Sequence, residues 1–160
     1  MMSKINSLLL EYGESHQNPT NKMVHWICVP AILVSLIGLI WSIPVPEVFK
    51  SIRIGDFSLN WAWLIITGAM IYYFSLSFRL AMGMMLVTAL LLAIGYAISK
   101  TIQLPLWATS IIIFTIAWLG QFWGHKIEGK KPSFLKDIQF LLIGPVWLLS
   151  FIYRKLGIGF

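Results

Sequence analysis

The chain has 160 residues, of which 58% are hydrophobic and only 11% charged, and its mean hydropathy is +0.80. A typical soluble domain is about 25% charged, so too few charges are present to cover a water-soluble globule. The composition excludes disorder, argues against an ordinary soluble enzyme, and points to a single membrane domain over residues 1–160. The net charge of +6 comes from twelve Lys and Arg spread between apolar stretches. That distribution sets membrane topology and meets anionic lipid headgroups; it does not suggest nucleic acid.

Residues 1–22 are polar and lack the apolar run of a signal peptide, so no cleaved leader is expected. A membrane-crossing helix needs about 20 mostly apolar residues. Four segments qualify: residues 26–43, stopped by Pro44 and Pro46, then 59–78, 80–98 and 106–123. Arg79 alone separates the second from the third, which predicts a tight helical hairpin. A fifth apolar stretch, residues 138–152, is short and holds Gly144 and Pro145. It is read as a re-entrant or interfacial helix, with a fifth crossing as the alternative. The expected fold is therefore all-α: four transmembrane helices plus a short C-terminal helix.

Lys and Arg orient the bundle. With four crossings, Lys4, Lys22, Arg79, Lys126, Lys130, Lys131, Lys136, Arg154 and Lys155 share one side, against Lys50, Arg53 and Lys100 on the other. Both termini are thus expected in the cytoplasm. The compact chain suits a bacterial inner membrane, or the endoplasmic reticulum in a eukaryote.

The single cysteine, Cys28, excludes an internal disulfide and a cysteine-based metal cluster. The chemistry falls to three histidines. His16 and His25 lie just before the first span, and His125 just after the fourth. An even number of crossings separates them, so all three emerge on one membrane face. Polar companions surround them: Tyr12, Glu14, Asn18 and Asn21 in one cluster, Gln121 and Glu128 in the other. Gln121, His125 and Glu128 are spaced i, i+4, i+7 and share a face if the helix continues past Trp123. Imidazoles with a carboxylate suit Fe(II), Zn(II) or Mn(II). Tyr12, Asn21 and Gln121 would orient the ligands, and Lys126 and Lys131 would attract a substrate carboxylate. A bis-histidine haem is disfavoured, because its ligands belong inside a bundle rather than at span ends. Three readings remain: a metal-dependent oxygenase, a Zn-dependent membrane hydrolase, and a non-catalytic lipid-binding or carrier protein with structural histidines.

The pattern Tyr12-x3-His16-x-Asn18-x2-Asn21-x3-His25-x4-Pro30, followed by Gln121-x2-Gly124-His125-x2-Glu128-x3-Pro132, resembles the Mpo1-like (DUF962) family over nearly the whole chain. The resemblance implies an Fe(II)-dependent dioxygenase of 2-hydroxy fatty acids acting in α-oxidation with O2 as co-substrate. It implies His16, His25 and His125 as iron ligands, with Glu128 a fourth candidate. The chain departs from the family pattern after Pro145, where residues 146–151 hold no acid. Loss of one carbon as CO2 and oxidation of the next to a carboxyl group releases four electrons, the demand of O2 reduced to water. No 2-oxoglutarate, nicotinamide or flavin is then required, and no glycine-rich nucleotide loop is present.

Overall fold

The computed structural model describes residues 3–54, 57–129 and 137–160. Lys130, Lys131 and Pro132 lie outside the described residues, and with them the expectation that Lys131 meets a substrate carboxylate. Apart from a short antiparallel ladder pairing Arg53 with Ser58 and Ile54 with Phe57, the elements in the described residues are helical.

Helix α1 (Lys4–Glu14) is capped by Ser3, whose Oγ accepts from the Asn6 N–H at 3.4 Å. Its Ile5, Leu9 and Tyr12 fall at i, i+4 and i+7 and are buried, a one-sided apolar stripe. Helix α2 (Pro19–Trp41) begins at Pro19, not at residue 26 as its hydropathy suggests. Asn18 is the N-cap, its Oδ1 accepting from the N–H groups of Thr20 (2.9 Å) and Asn21 (3.4 Å). Pro19 takes the first helical position, where its missing N–H costs nothing. His25 is therefore inside the helix rather than ahead of it. The polar residues Asn21 and His25 belong to α2 because they are buried, which an apolar-run criterion does not see.

After α3 (Glu47–Ser51) and the ladder strands β1 (Arg53–Ile54) and β2 (Phe57–Ser58) come α4 (Trp61–Leu76) and α5 (Phe78–Thr101). They form the expected hairpin, but the break is Ser77 and not Arg79. Ser77 is extended (φ −163°, ψ 124°), ends α4 and caps α5 by accepting the Leu80 N–H on its Oγ at 3.4 Å. Arg79 sits in the first turn of α5. A charge is compatible with a helix; a side chain that competes for the backbone N–H groups ends one. Helix α6 (Leu106–Glu128) runs past Trp123 and stops at Gly129, whose φ of 72° is the left-handed cap that glycine supplies without strain.

Among the described residues three helices, α2, α5 and α6, are long and apolar enough to cross a membrane. At 16 residues, α4 is about 24 Å long, short of the roughly 30 Å of hydrocarbon. Ile27, Leu86, Leu90, Ile116 and Leu119 stand exposed on the outer faces of these long helices, as a lipid environment favours.

α2 and α6 are antiparallel and pack through small residues. A Cβ on Gly120 would stand 2.6 Å from Cys28 Sγ, and one on Gly124 2.5 Å from Asn21 Oδ1, while one on Gly38 would overlap Ser110. Such close approach is the usual device of helices packing in lipid, where no hydrophobic force pulls them together.

Helix α7 (Asp137–Lys155) is longer than the expected 15-residue segment and continues through Pro145. Residues 143–150 are buried at every position, whereas a helix resting on a membrane surface buries one face. Tyr73 donates its hydroxyl to the Leu142 carbonyl (2.9 Å), and Tyr153 of α7 donates its hydroxyl to the Arg79 carbonyl (2.8 Å). Both partners lie close to the Ser77 turn. A helix running beside the hairpin would leave that turn by 1.5 Å per residue, so α7 lies across the end of the hairpin, with α1 packed against it.

Candidate metal centre

The antiparallel pairing of α2 and α6 brings the first turns of one beside the last turns of the other. His25, in the second turn of α2, and His125, in the last turn of α6, thereby face each other with ring centroids 5.2 Å apart. His16 joins them from the link between α1 and α2, 4.3 Å from His25 and 5.1 Å from His125 by ring centroid. One ring nitrogen from each histidine lies within 4.8 Å of the others. The three residues expected on one membrane face thus form one cluster. His16 is 3% exposed and His25 1%.

Backbone carbonyls fix two of the rings. His16 Nδ1–H donates to the Tyr12 carbonyl (2.6 Å) and His25 Nδ1–H to the Asn21 carbonyl (2.9 Å). A carbonyl only accepts, so each Nδ1 carries the proton and each Nε2 carries a lone pair. The two Nε2 atoms are 2.8 Å apart. Two lone pairs at that distance repel unless a cation stands between them. Burial holds His16 well below its ordinary value of 6.5, at about 4, with the neighbouring His125 adding to the effect and the Tyr12 hydrogen bond opposing it. Burial thus disfavours an extra proton shared between the two rings at neutral pH. Two imidazoles bound side by side to one metal at about 2.1 Å lie about 3 Å apart, so the spacing and the donor set both fit a first-row divalent metal.

Tyr12 stacks face to face on His16, centroids 4.2 Å apart and planes 10° from parallel. Trp147 of α7 closes on the same ring at 5.3 Å. Asn21 holds His25 through its backbone carbonyl and donates its Nδ2–H to Glu128 Oε2 at 3.0 Å. Glu128 also accepts the backbone N–H groups of Gln17 (2.7 Å) and Asn18 (2.9 Å). Its carboxylate ties the end of α6 to the N-terminal end of α2, where the helix dipole favours negative charge. It stands outside the histidine cluster, and acts on His16 and His25 through the segment between them.

A cavity of about 120 Å³ opens beside the histidines, walled by Tyr12, Val29, Ile32, Trp118, Gln121, Phe140 and Gly144 among others. Lys126 is exposed and does not line it, so a substrate carboxylate in the cavity does not reach it there. Gln121 is 6% exposed and its Oε1 has no hydrogen-bond partner; the buried Trp118 Nε1–H has none either. Sequence reasoning missed Trp118, Trp147 and the α7 wall. Trp118 was readable, being three residues before Gln121 and seven before His125 on one helical face. Trp147 and Phe140 carry no local signal, because only the lie of α7 across the hairpin brings them here.

The family described as "2-hydroxy-palmitic acid dioxygenase Mpo1-like" matches residues 2–156. The chain is 27% identical over 155 residues to 2-hydroxy-palmitic acid dioxygenase MPO1 of Saccharomyces cerevisiae, covering 96% of this chain and 82% of that protein. No solved structure matches. With a family match over nearly its whole length, the chain belongs to the Mpo1-like family.

Proposed function

We propose that this protein is a membrane oxidoreductase that uses Fe(II), held by His16, His25 and His125, and O2 to shorten 2-hydroxy fatty acids by one carbon. The observation that carries this reading is the pair of lone-pair-bearing Nε2 atoms 2.8 Å apart, each ring held in that tautomer by a backbone carbonyl. The reaction balances as RCH(OH)COOH + O2 → RCOOH + CO2 + H2O. Bound iron would supply the redox centre and the template for O2 chemistry.

The chain's own residues prepare the site. Tyr12 and Asn21 keep the imidazole protons on Nδ1 and leave Nε2 for the metal. The Tyr12 ring fixes the plane of His16. Glu128 holds the Gln17–Asn21 segment, which sets the spacing of His16 and His25. Val29, Ile32 and Phe140 give the acyl chain an apolar wall that leads from the histidines toward the membrane interior. The basic residues of the histidine side put this end of the bundle in the cytoplasm, of a bacterial inner membrane or facing out from the endoplasmic reticulum.

A zinc hydrolase would use the same three ligands but needs a carboxylate base beside the metal. Among the described residues no carboxylate lines the cavity, which favours the redox reading. Metal analysis tests it. Wild type loaded with Fe(II) under argon should hold about one iron per chain, and the triple variant His16→Ala, His25→Ala, His125→Ala should hold none. Iron-loaded wild type should then consume O2 with 2-hydroxypalmitate and release CO2. A well-folded wild type without metal, or a zinc form that hydrolyses lipid esters anaerobically, would overturn the proposal.

A further inference from the structure

The cavity beside the histidines contains an unused hydrogen-bond acceptor and an unused donor. Gln121 Oε1 and Trp118 Nε1 are both buried and both without a partner. They lie three residues apart on α6, so they share a face of that helix, and both side chains line the cavity. A buried polar atom without a partner is costly, and two in one cavity call for a ligand that satisfies both. The acceptor needs a ligand O–H, and the donor needs a ligand oxygen.

We propose that Gln121 and Trp118 are the residues that read the 2-hydroxy acid head: Gln121 Oε1 accepts from the 2-hydroxyl, and Trp118 Nε1–H donates to the carboxylate. The assignment rests on the proposed function for its substrate class, and adds which residues choose that substrate. An acyl chain without the 2-hydroxyl satisfies Trp118 but leaves Gln121 Oε1 buried and unpaired. The site then rejects it through a penalty already built into α6. Val29 and Ile32 on one side and Phe140 on the other are apolar, and the remaining polar lining is Tyr12, Ser15 and the three histidines proposed to hold the metal.

The test measures binding without turnover. Chelator-treated, metal-free protein in nanodiscs would be titrated anaerobically with 2-hydroxypalmitate and with palmitate, following quenching of intrinsic tryptophan fluorescence and, independently, by calorimetry. Wild type should bind the hydroxy acid about tenfold tighter, the discrimination expected of one buried hydrogen bond. Gln121→Met, which keeps volume and removes the acceptor, should bring the two acids to the same affinity. Trp118→Phe, read by calorimetry, should weaken both acids severalfold and keep their ratio. Each variant would be accepted only if its helical circular dichroism and its melting temperature stay near wild type. Equal binding of the two acids by wild type, a preference that survives in Gln121→Met, or unchanged binding by Trp118→Phe would each overturn the assignment. Iron content of the same proteins, loaded with Fe(II) in a parallel sample that is not chelator-treated, separates this from the wider reading. One iron per chain without hydroxyl selectivity overturns the Trp118–Gln121 pair alone, whereas no iron and no binding of either acid overturns both.

Discussion

His16 and His25 face each other through their Nε2 atoms at 2.8 Å, with both Nδ1 protons given to backbone carbonyls of their own preceding turns. Each carbonyl belongs to the residue four earlier, Tyr12 for His16 and Asn21 for His25. The local backbone thus fixes the tautomers, and the pair is ready to receive a cation before one arrives.

Metal should therefore stabilise the fold directly. A ligand that binds only the native state contributes RT ln(1 + [L]/Kd), about 2.7 kcal/mol at a hundredfold excess over Kd. Addition of Fe(II) or Zn(II) to chelator-treated protein should raise its melting temperature in a concentration-dependent way. The triple histidine variant should show no such rise. Differential scanning fluorimetry with a thiol-reactive or intrinsic reporter measures both.

The metal-free protein should lose stability on acidification. His16 is held at about 4 in the fold against 6.5 when free. Between those values the unfolded chain takes up a proton that the folded chain refuses. Stability is then fully present above pH 6.5 and falls as pH drops toward 4. Melting temperatures across that range should decline, and His16→Asn should decline less steeply.

Glu128→Gln should separate two roles. As the anchor between α6 and the α2 N-terminus, the carboxylate accepts three N–H groups from Gln17, Asn18 and Asn21. Its replacement should cost about 1 kcal/mol of stability, since hydrogen bonds to a charged acceptor are the stronger kind but this one is partly solvated. Iron stoichiometry should remain near one per chain. Loss of iron with an unchanged melting temperature would show instead that Glu128 is a ligand.

Gly124→Ala should disturb the metal centre from the back. The added Cβ would lie 2.5 Å from Asn21 Oδ1, in a seam with no spare room. Overpacking of this kind costs about 1–3 kcal/mol, and here the displaced residue is the one that holds His25. The expected result is weaker metal binding with unchanged helix content, measured by competition with a chromophoric chelator and by circular dichroism.

Much of this site was legible in the sequence because its residues had nowhere else to be. Polar side chains at span ends on one membrane face must share a thin layer, and an expected four crossings put the three histidines on one face; three helices among the described residues are long enough to cross, and it is the antiparallel pairing of α2 and α6 that brings the histidines together. The i, i+4, i+7 spacing of Gln121, His125 and Glu128 was also readable, and α6 does continue through all three. Boundaries were harder. Hydropathy placed the start of α2 at Trp26, whereas the Asn18–Pro19 cap sets it earlier. Arg79 looked like the hairpin break because it is charged; Ser77 is the break because it caps. The contribution of α7 was not legible at all. Its apolar run says that it is buried, but not that Phe140 and Trp147 arrive at the histidines. That depends on the Tyr73 hydroxyl and the Arg79 carbonyl holding it from another helix pair, at Leu142 and Tyr153.

The seam between α2 and α6 has a consequence for how the protein is made. His16 and His25 leave the ribosome early, but the third histidine, His125, stands on the far side of the α4–α5 hairpin, a hundred residues downstream of His25. The register that places it is written in Gly120 and Gly124, which meet Cys28 and Asn21. Until α6 has been inserted and has slid into that register, two imidazoles wait without their companion. On the proposed function, metal loading would follow synthesis of the last helices, because an incomplete chain lacks the third imidazole.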